Sequence, residues 1–209
     1  MPSFLPPVVR NHLSSLRMLL VFTVITGVAY PLAVTAVAQA AFPDQANGSL
    51  VKHNDKIVGS SLIGQNFNLP LKKGQTSADP DPKWFQPRPS AAGTNGYDPT
   101  ASSASNLGPN SSVLIQAIKQ RRVAVAKFDG VDPSTVPVDA LTASGSGLDA
   151  DISAAYAYEQ VNRVAKARGL DPAAVRTLVG DHITGRALGF LGNEYVDVIK
   201  LNLALTNLK

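Results

Sequence analysis

A chain of 209 residues with 19 Lys and Arg against 15 Asp and Glu carries a net charge of only +4, spread along its length. No basic block with interleaved aromatics appears, which argues against nucleic acid as a partner. The absence of cysteine excludes a disulfide framework and agrees with, without proving, residence in an oxidising compartment.

The first predicted element dominates the chain. Between Arg17 and Asp44 there is no charge, and the apolar core of that run, Met18 to Ala40, reads MLLVFTVITGVAYPLAVTAVAQA. At about 1.5 Å per residue this core spans roughly 35 Å, against a hydrocarbon thickness of about 30 Å. Its Leu, Ile, Val and Phe residues favour insertion by a sum on the order of −3 to −6 kcal/mol, whereas one buried Lys or Asp would cost about 3 kcal/mol. Pro31 would break a soluble helix, yet is tolerated in a membrane helix when the freed carbonyl finds another donor. Gly27, Tyr30, Pro31 and Ala33 are the candidate partner-docking positions, because small residues and a proline bring helices close. Ordinary membrane-helix composition explains them equally. Ala36-Val37-Ala38 and Ala38-Gln39-Ala40 resemble signal-peptidase sites, but the apolar run exceeds a signal h-region of about 7–15 residues.

Arg10 and Arg17 precede the run, and the first charge after it is Asp44. The positive-inside rule predicts residues 1–17 as a short cytoplasmic N-terminus, 18–40 as the membrane helix and 41–209 as one extracytoplasmic domain. The roughly 165 residues after the helix suffice for one domain with a core of its own.

Within that domain, Leu50 to Leu62 predicts a hairpin turning at Asn54-Asp55. Gly64 to Pro109 is a long irregular stretch rich in Pro, Gly, Ser and Asn, in which Trp84, Phe85 and Tyr97 offer groups to pack. A helix is expected from Ser111 to about Lys127, capped by Asn110, with Val113, Leu114, Ala117 and Ile118 on one face and Gly130 at its end. Val136 to Ala143 is a strand candidate. A second helix, capped by Asp149 or Asp151, runs through Arg168 to Gly169. Asp171-Pro172 opens a third, running to about Ile183, with Leu170 and Val175 at staple spacing. Tyr195 to Leu205 is expected as a closing strand, with Ile199, Leu201, Leu203 and Leu205 on one face. The expected fold class is α+β: one membrane helix and one α+β domain with a long irregular loop.

Chemistry-bearing motifs are sparse. His12, His53 and His182 are too far apart in sequence to form a metal-spaced cluster. There is no G-x-S-x-G elbow, no Walker A loop and no Asp-Lys-Thr-Gly-Thr phosphorylation sequence. Gly145, Gly147 and Ala150 fit G-x-G-x-x-A after the candidate strand, and the amides of such a turn could cradle a phosphate. A dinucleotide fold needs a parallel strand after the following helix, and here another helix begins directly after Gly169. A tight strand-to-helix turn or a partner-contacting loop fits as well.

The segments GVAYPLAVT (27–35), FPDQANGSLV (42–51), GSSLIGQNF (59–67), WFQPRPSAA (84–92), SNLGPNS (105–111), VPVDALTASGSGLDADIS (136–153), QVNRVAKARGL (160–170) and VIKLNLAL (198–205) carry a resemblance in their order and spacing. Over roughly Leu20 to Leu205 the chain resembles the C subunit of the Kdp high-affinity potassium-transporting P-type ATPase. The resemblance implies a non-catalytic subunit of a bacterial inner-membrane complex. Its partners would be a channel-like potassium-translocating subunit, an ATP-hydrolysing P-type subunit, a small single-helix subunit and membrane lipid. Potassium would be the transported ion. The family is also described as a catalytic chaperone that raises the ATP affinity of the hydrolysing subunit. That role would fall on Ser144, Gly145, Ser146, Gly147 and Gln160. ATP is hydrolysed on the cytoplasmic side, opposite the expected domain, so linkage through the membrane subunits is one reconciliation. A cytoplasm-facing nucleotide-binding regulator and a freestanding extracytoplasmic binding protein remain as alternatives.

Overall fold

The computed structural model describes residues 6–208, which fall into two units, one ending at Ser49 and one beginning at Leu50. The first unit is the apolar helix. It extends beyond its apolar core: Pro7–Ala41 is helical throughout, 35 residues or about 52 Å at helical rise, and its most apolar stretch has a mean hydropathy of 2.0. Among the described residues it is the one helix long and apolar enough to cross a membrane. Residues 7–17, expected within the short cytoplasmic N-terminus, are helical and continuous with it.

Pro31 leaves its mark one turn earlier. Helix α1 (Pro7–Val24) gives way to a π turn, Ile25–Ala29, before α2 (Tyr30–Ala41). The Tyr30 N–H reaches back five residues to the Ile25 carbonyl. Pro31 has no N–H to offer Gly27, and the widened turn absorbs the loss of register without ending the helix. The hydroxyls of Thr23, Thr26 and Thr35 fold back to the carbonyls of Leu19, Phe22 and Pro31 at 2.7–2.8 Å, so each is satisfied within the helix. A single turn, α3 (Pro43–Ala46), closes this unit.

The second unit is α+β, as expected. Strands β1 (Leu50–His53) and β2 (Lys56–Ser60) pair antiparallel around Asn54 and Asp55, both with positive φ, the geometry of a type I′ turn. Residues 61–111 then run without a helix or ladder. Helix α4 (Ser112–Asp129) follows, capped by Ser111 rather than Asn110 and ended by left-handed Gly130. Leu114, Ala117 and Ile118 are partly covered as expected, but Val113 is exposed.

Val136 to Ala143 forms no strand. Pro137 removes a ladder donor, and Val138–Ala140 coil into a 3₁₀ turn. The expected second helix is capped by Ser153, whose Oγ accepts from the Tyr156 N–H at 3.1 Å. It breaks at Gln160 into α5 (Ala154–Glu159) and α6 (Val161–Arg168), with Gly169 left-handed at the end. Asp171 and Pro172 open α7 (Pro172–Asp181) as expected, although it stops two residues short of Ile183. Leu170 packs on the core beside fully buried Val175.

The C-terminus departs furthest from expectation. Only Tyr195–Asp197 is a strand (β5), and Val198–Asn207 is helix α8, capped by Asp197. The buried positions Val198, Leu201, Asn202 and Leu205 follow the helical period. β5 lies between β3 (Asp151–Ile152) and β4 (Ile183–Thr184), antiparallel to both. Around this small sheet α5 to α8 enclose Phe85, Leu141, Val164, Val179, Val196 and Leu201, all buried.

Candidate functional site

The glycine-serine turn is built by its own side chains and then tied to the long irregular segment. Ser144 Oγ accepts from the Gly147 N–H at 2.9 Å, and Ser146 Oγ from the Leu148 N–H at 3.1 Å. The Ser146 carbonyl accepts from the Ser103 N–H at 2.9 Å and from Ser102 Oγ at 3.0 Å. The Gly147 carbonyl accepts from Ser90 Oγ at 2.6 Å. With no strand before the turn and only β3 after it, a dinucleotide cradle lacks its frame.

Ser144, Gly145 and Ser146 line one open cleft of about 560 Å³ together with Arg88 and Asp149. Gly147 is buried and Gln160 is wholly buried, and neither lines that cleft. Arg88 is held at its mouth by Nη1 to Asp149 Oδ2 at 2.9 Å, with Nη2 3.4 Å from the Thr142 carbonyl. Tyr97 donates its hydroxyl to the Arg88 carbonyl at 2.8 Å, and burial pushes that phenol up. Among the described residues, Arg88 brings the one cationic group to this cleft. It stands 56 residues before Ser144, so nothing local in the sequence pairs the two.

Gln160 does something else. Its Oε1 accepts from the Gln86 N–H at 2.6 Å and from Arg163 Nη2 at 2.5 Å, while its Nε2 donates to the Gln86 carbonyl at 3.1 Å. Asn202 does the same to the preceding residue: Oδ1 accepts from the Phe85 N–H at 2.9 Å and Nδ2 donates to the Phe85 carbonyl at 3.0 Å. Two buried amides thus read two consecutive peptide groups and hold Phe85 in the core. Arg163 extends the clamp. Its Nη1 donates to the carbonyls of Pro82 and Trp84 at 2.8 and 2.9 Å, and its Nε to Asp129 Oδ1 at 2.5 Å. Arg168 lies 4.2 Å over the Trp84 ring and donates to the Lys83 carbonyl. The irregular stretch owes its order to side chains far away in sequence. Asn202, Arg163 and Arg88 went unnoticed in the sequence, although a polar residue on the apolar face of VIKLNLAL marks Asn202 as unusual.

Beside the clamp lie carboxyl groups that are poorly served. Burial raises Asp129 despite the opposing pull of Arg163, and its Oδ2 has no hydrogen-bond partner among the described residues. Glu159 is pushed up to about 7, first by burial and then by the charges of Asp129 and Asp139. In the unfolded chain the same group titrates near 4.5. The folded protein therefore binds a proton that the unfolded chain has released, and stability falls as pH rises from about 4.5 to about 7. Glu159→Gln is expected to leave stability unchanged at pH 4 and to raise it at pH 8. The gain is about 1 kcal/mol, well below the full linkage value because the group is partly solvated. Urea unfolding of both chains at the two pH values checks this, and equal gains at both would contradict it.

The expected docking positions lie in the first unit. Tyr30 and Ala33 line a shallow, wholly apolar groove on α2 with Val34, Val37, Ala38 and Phe42, whereas Gly27 and Pro31 do not. Gly27 sits inside the π turn, where an added methyl would meet only Thr23 Cγ2, at 4.0 Å.

One apolar helix of membrane-spanning length followed by an α+β unit defines the class of a candidate single-span membrane protein. The family model described as "K+-transporting ATPase, c chain" matches residues 12–207. The potassium-transporting ATPase KdpC subunit of Streptomyces avermitilis is 52% identical over 205 residues, covering 93% of this chain and 92% of that one. That of Kineococcus radiotolerans is 53% identical over 196 residues, covering 94% and 93%. That of Mycobacterium tuberculosis is 50% identical over 200 residues, covering 95% and 99%. This chain belongs to the KdpC family.

Proposed function

We propose that this chain is a non-catalytic accessory subunit of an ATP-driven, high-affinity potassium uptake complex, held in the bacterial inner membrane by residues 18–40. Residues 1–17 face the cytoplasm and 41–209 the exterior, in line with the positive flank of the helix. The partners are the channel-like, ATP-hydrolysing and small single-helix subunits, and the apolar groove at Tyr30 and Ala33 is a docking face for one of their helices. Family membership over nearly the whole chain carries this reading.

Its influence on ATP is by linkage. If the subunit and nucleotide both favour one conformation of the pump, the subunit raises nucleotide affinity without touching nucleotide, and nucleotide raises the pump's affinity for the subunit by the same factor. Gln160 favours this mechanism, since its amide is fully buried and already engaged with Gln86 and Arg163. Direct nucleotide contact is the second reading, favoured by the cleft where Ser144, Gly145 and Ser146 meet Arg88. Purification of the tagged full chain from detergent-solubilised native membranes tests the main proposal. The other pump subunits are expected to co-purify, and their absence would overturn it.

A further inference from the structure

Between β4 and β5 the chain makes a short tongue that runs against the ordinary rules of a surface loop. Ala187 and Leu191 bridge each other, each N–H donating to the other's carbonyl at 2.9 Å. The Gly189 N–H donates to the Arg186 carbonyl and the Phe190 N–H to that of Ala187, at 3.1 and 3.3 Å. Within this fixed turn Leu188 adopts a left-handed φ of 54°, a conformation that a branched side chain takes only under strain. The product is a display of apolar groups: Leu188 is 83% exposed, Phe190 70% and Leu191 51%. The base of the tongue is anchored in the fold, because β5 continues into buried Val196 and Asp197.

We infer that this tongue is a docking element that inserts Leu188 and Phe190 into an apolar groove on another membrane-embedded subunit. The inference rests on the proposal that the chain works within a potassium-transporting complex. The exposed surface of the three side chains is on the order of 400 Å², about half of the roughly 800 Å² that each partner of a stable complex buries. That is too little to hold a soluble protein from bulk solution. It suffices for a partner already confined to the same membrane, where co-anchoring raises effective concentration to the millimolar range. A lipid surface is the poorer match. The feet of the tongue carry one cation and one anion, Arg186 and Glu194, whereas lipid-binding segments gather several Lys or Arg. Lipid also has no use for a preset shape, while a strained and prearranged turn lowers the ordering cost of entering a fixed groove.

A photoreactive benzoylphenylalanine at position 190 of the tagged full chain, irradiated in native membranes, tests this. The expected product is a covalent adduct with an integral subunit of the pump. A lipid adduct alone, an adduct between copies of this chain, or no adduct overturns the inference. In parallel, Leu188→Ser with Phe190→Ser is expected to reduce recovery of pump subunits about tenfold while the melting temperature stays unchanged. Undiminished recovery also overturns it. If the unaltered chain recovers no pump subunit, the broader proposal fails instead, so the two failures are distinguishable.

Discussion

Gln160→Ala is expected to lower the unfolding free energy by about 3–5 kcal/mol. The substitution strands the Gln86 N–H, the Gln86 carbonyl and one donor of Arg163 in the core, each a loss of about 1–3 kcal/mol that overlaps with the others. For a domain of this size the melting temperature falls by roughly 6–20 °C. Asn202→Ala strands the corresponding groups of Phe85 and should fall in the same range. Thermal unfolding of the detergent-solubilised full chain, followed by circular dichroism, gives the number. If Gln160→Ala melts like the unaltered chain while pump ATPase loses nucleotide affinity, the clamp is not the function of Gln160, and direct contact gains ground.

The second large effect separates two glycines that look equivalent in Ser-Gly-Ser-Gly. Gly147 has a φ of 68°, and a Cβ there would lie 2.6 Å from the Ser103 carbonyl oxygen and 2.8 Å from the Ala92 nitrogen. Gly147→Ala combines left-handed strain of about 1–2 kcal/mol with displacement of a neighbouring backbone, for a total near 3 kcal/mol. Gly145 has no atom within 4 Å of such a Cβ, and Gly145→Ala is expected to change stability by less than about 0.5 kcal/mol. Gly145→Ala is therefore the clean probe of the cleft. Under linkage without contact it leaves the apparent ATP affinity of the assembled pump unchanged. A several-fold rise in the KM for ATP, with the complex intact, would favour a nucleotide cradle. Equal melting temperatures for the two variants would contradict the packing role of Gly147.

What could be predicted from sequence was local chemistry. Asn54-Asp55, Gly130, Gly169 and Asp171-Pro172 each impose their turn or cap on their own neighbours, and each is found where expected. The closing helix failed for a definable reason. Ile199, Leu201, Leu203 and Leu205 alternate like a strand, while Val198, Leu201, Asn202 and Leu205 repeat like a helix, and only the side that meets the core decides. Packing also decided the break at Gln160, and the order of the irregular segment rests on Gln160, Arg163 and Asn202, which lie far from it in sequence. Of the candidate site, Ser144 to Gly147 stood out as a turn by composition. Gln160 entered only through family resemblance, because nothing in the pattern of α5 and α6 marks it as a clamp.

The direction of the domain across the membrane decides between linkage and contact. The chain has no cysteine, so Ser146→Cys introduces a unique thiol on an exposed position of the turn. Labelling of that variant in intact cells with a membrane-impermeant maleimide is the most direct measurement. Linkage through the membrane subunits predicts modification from outside, before permeabilisation. Modification only after the inner membrane is opened would place the turn on the cytoplasmic side and contradict it.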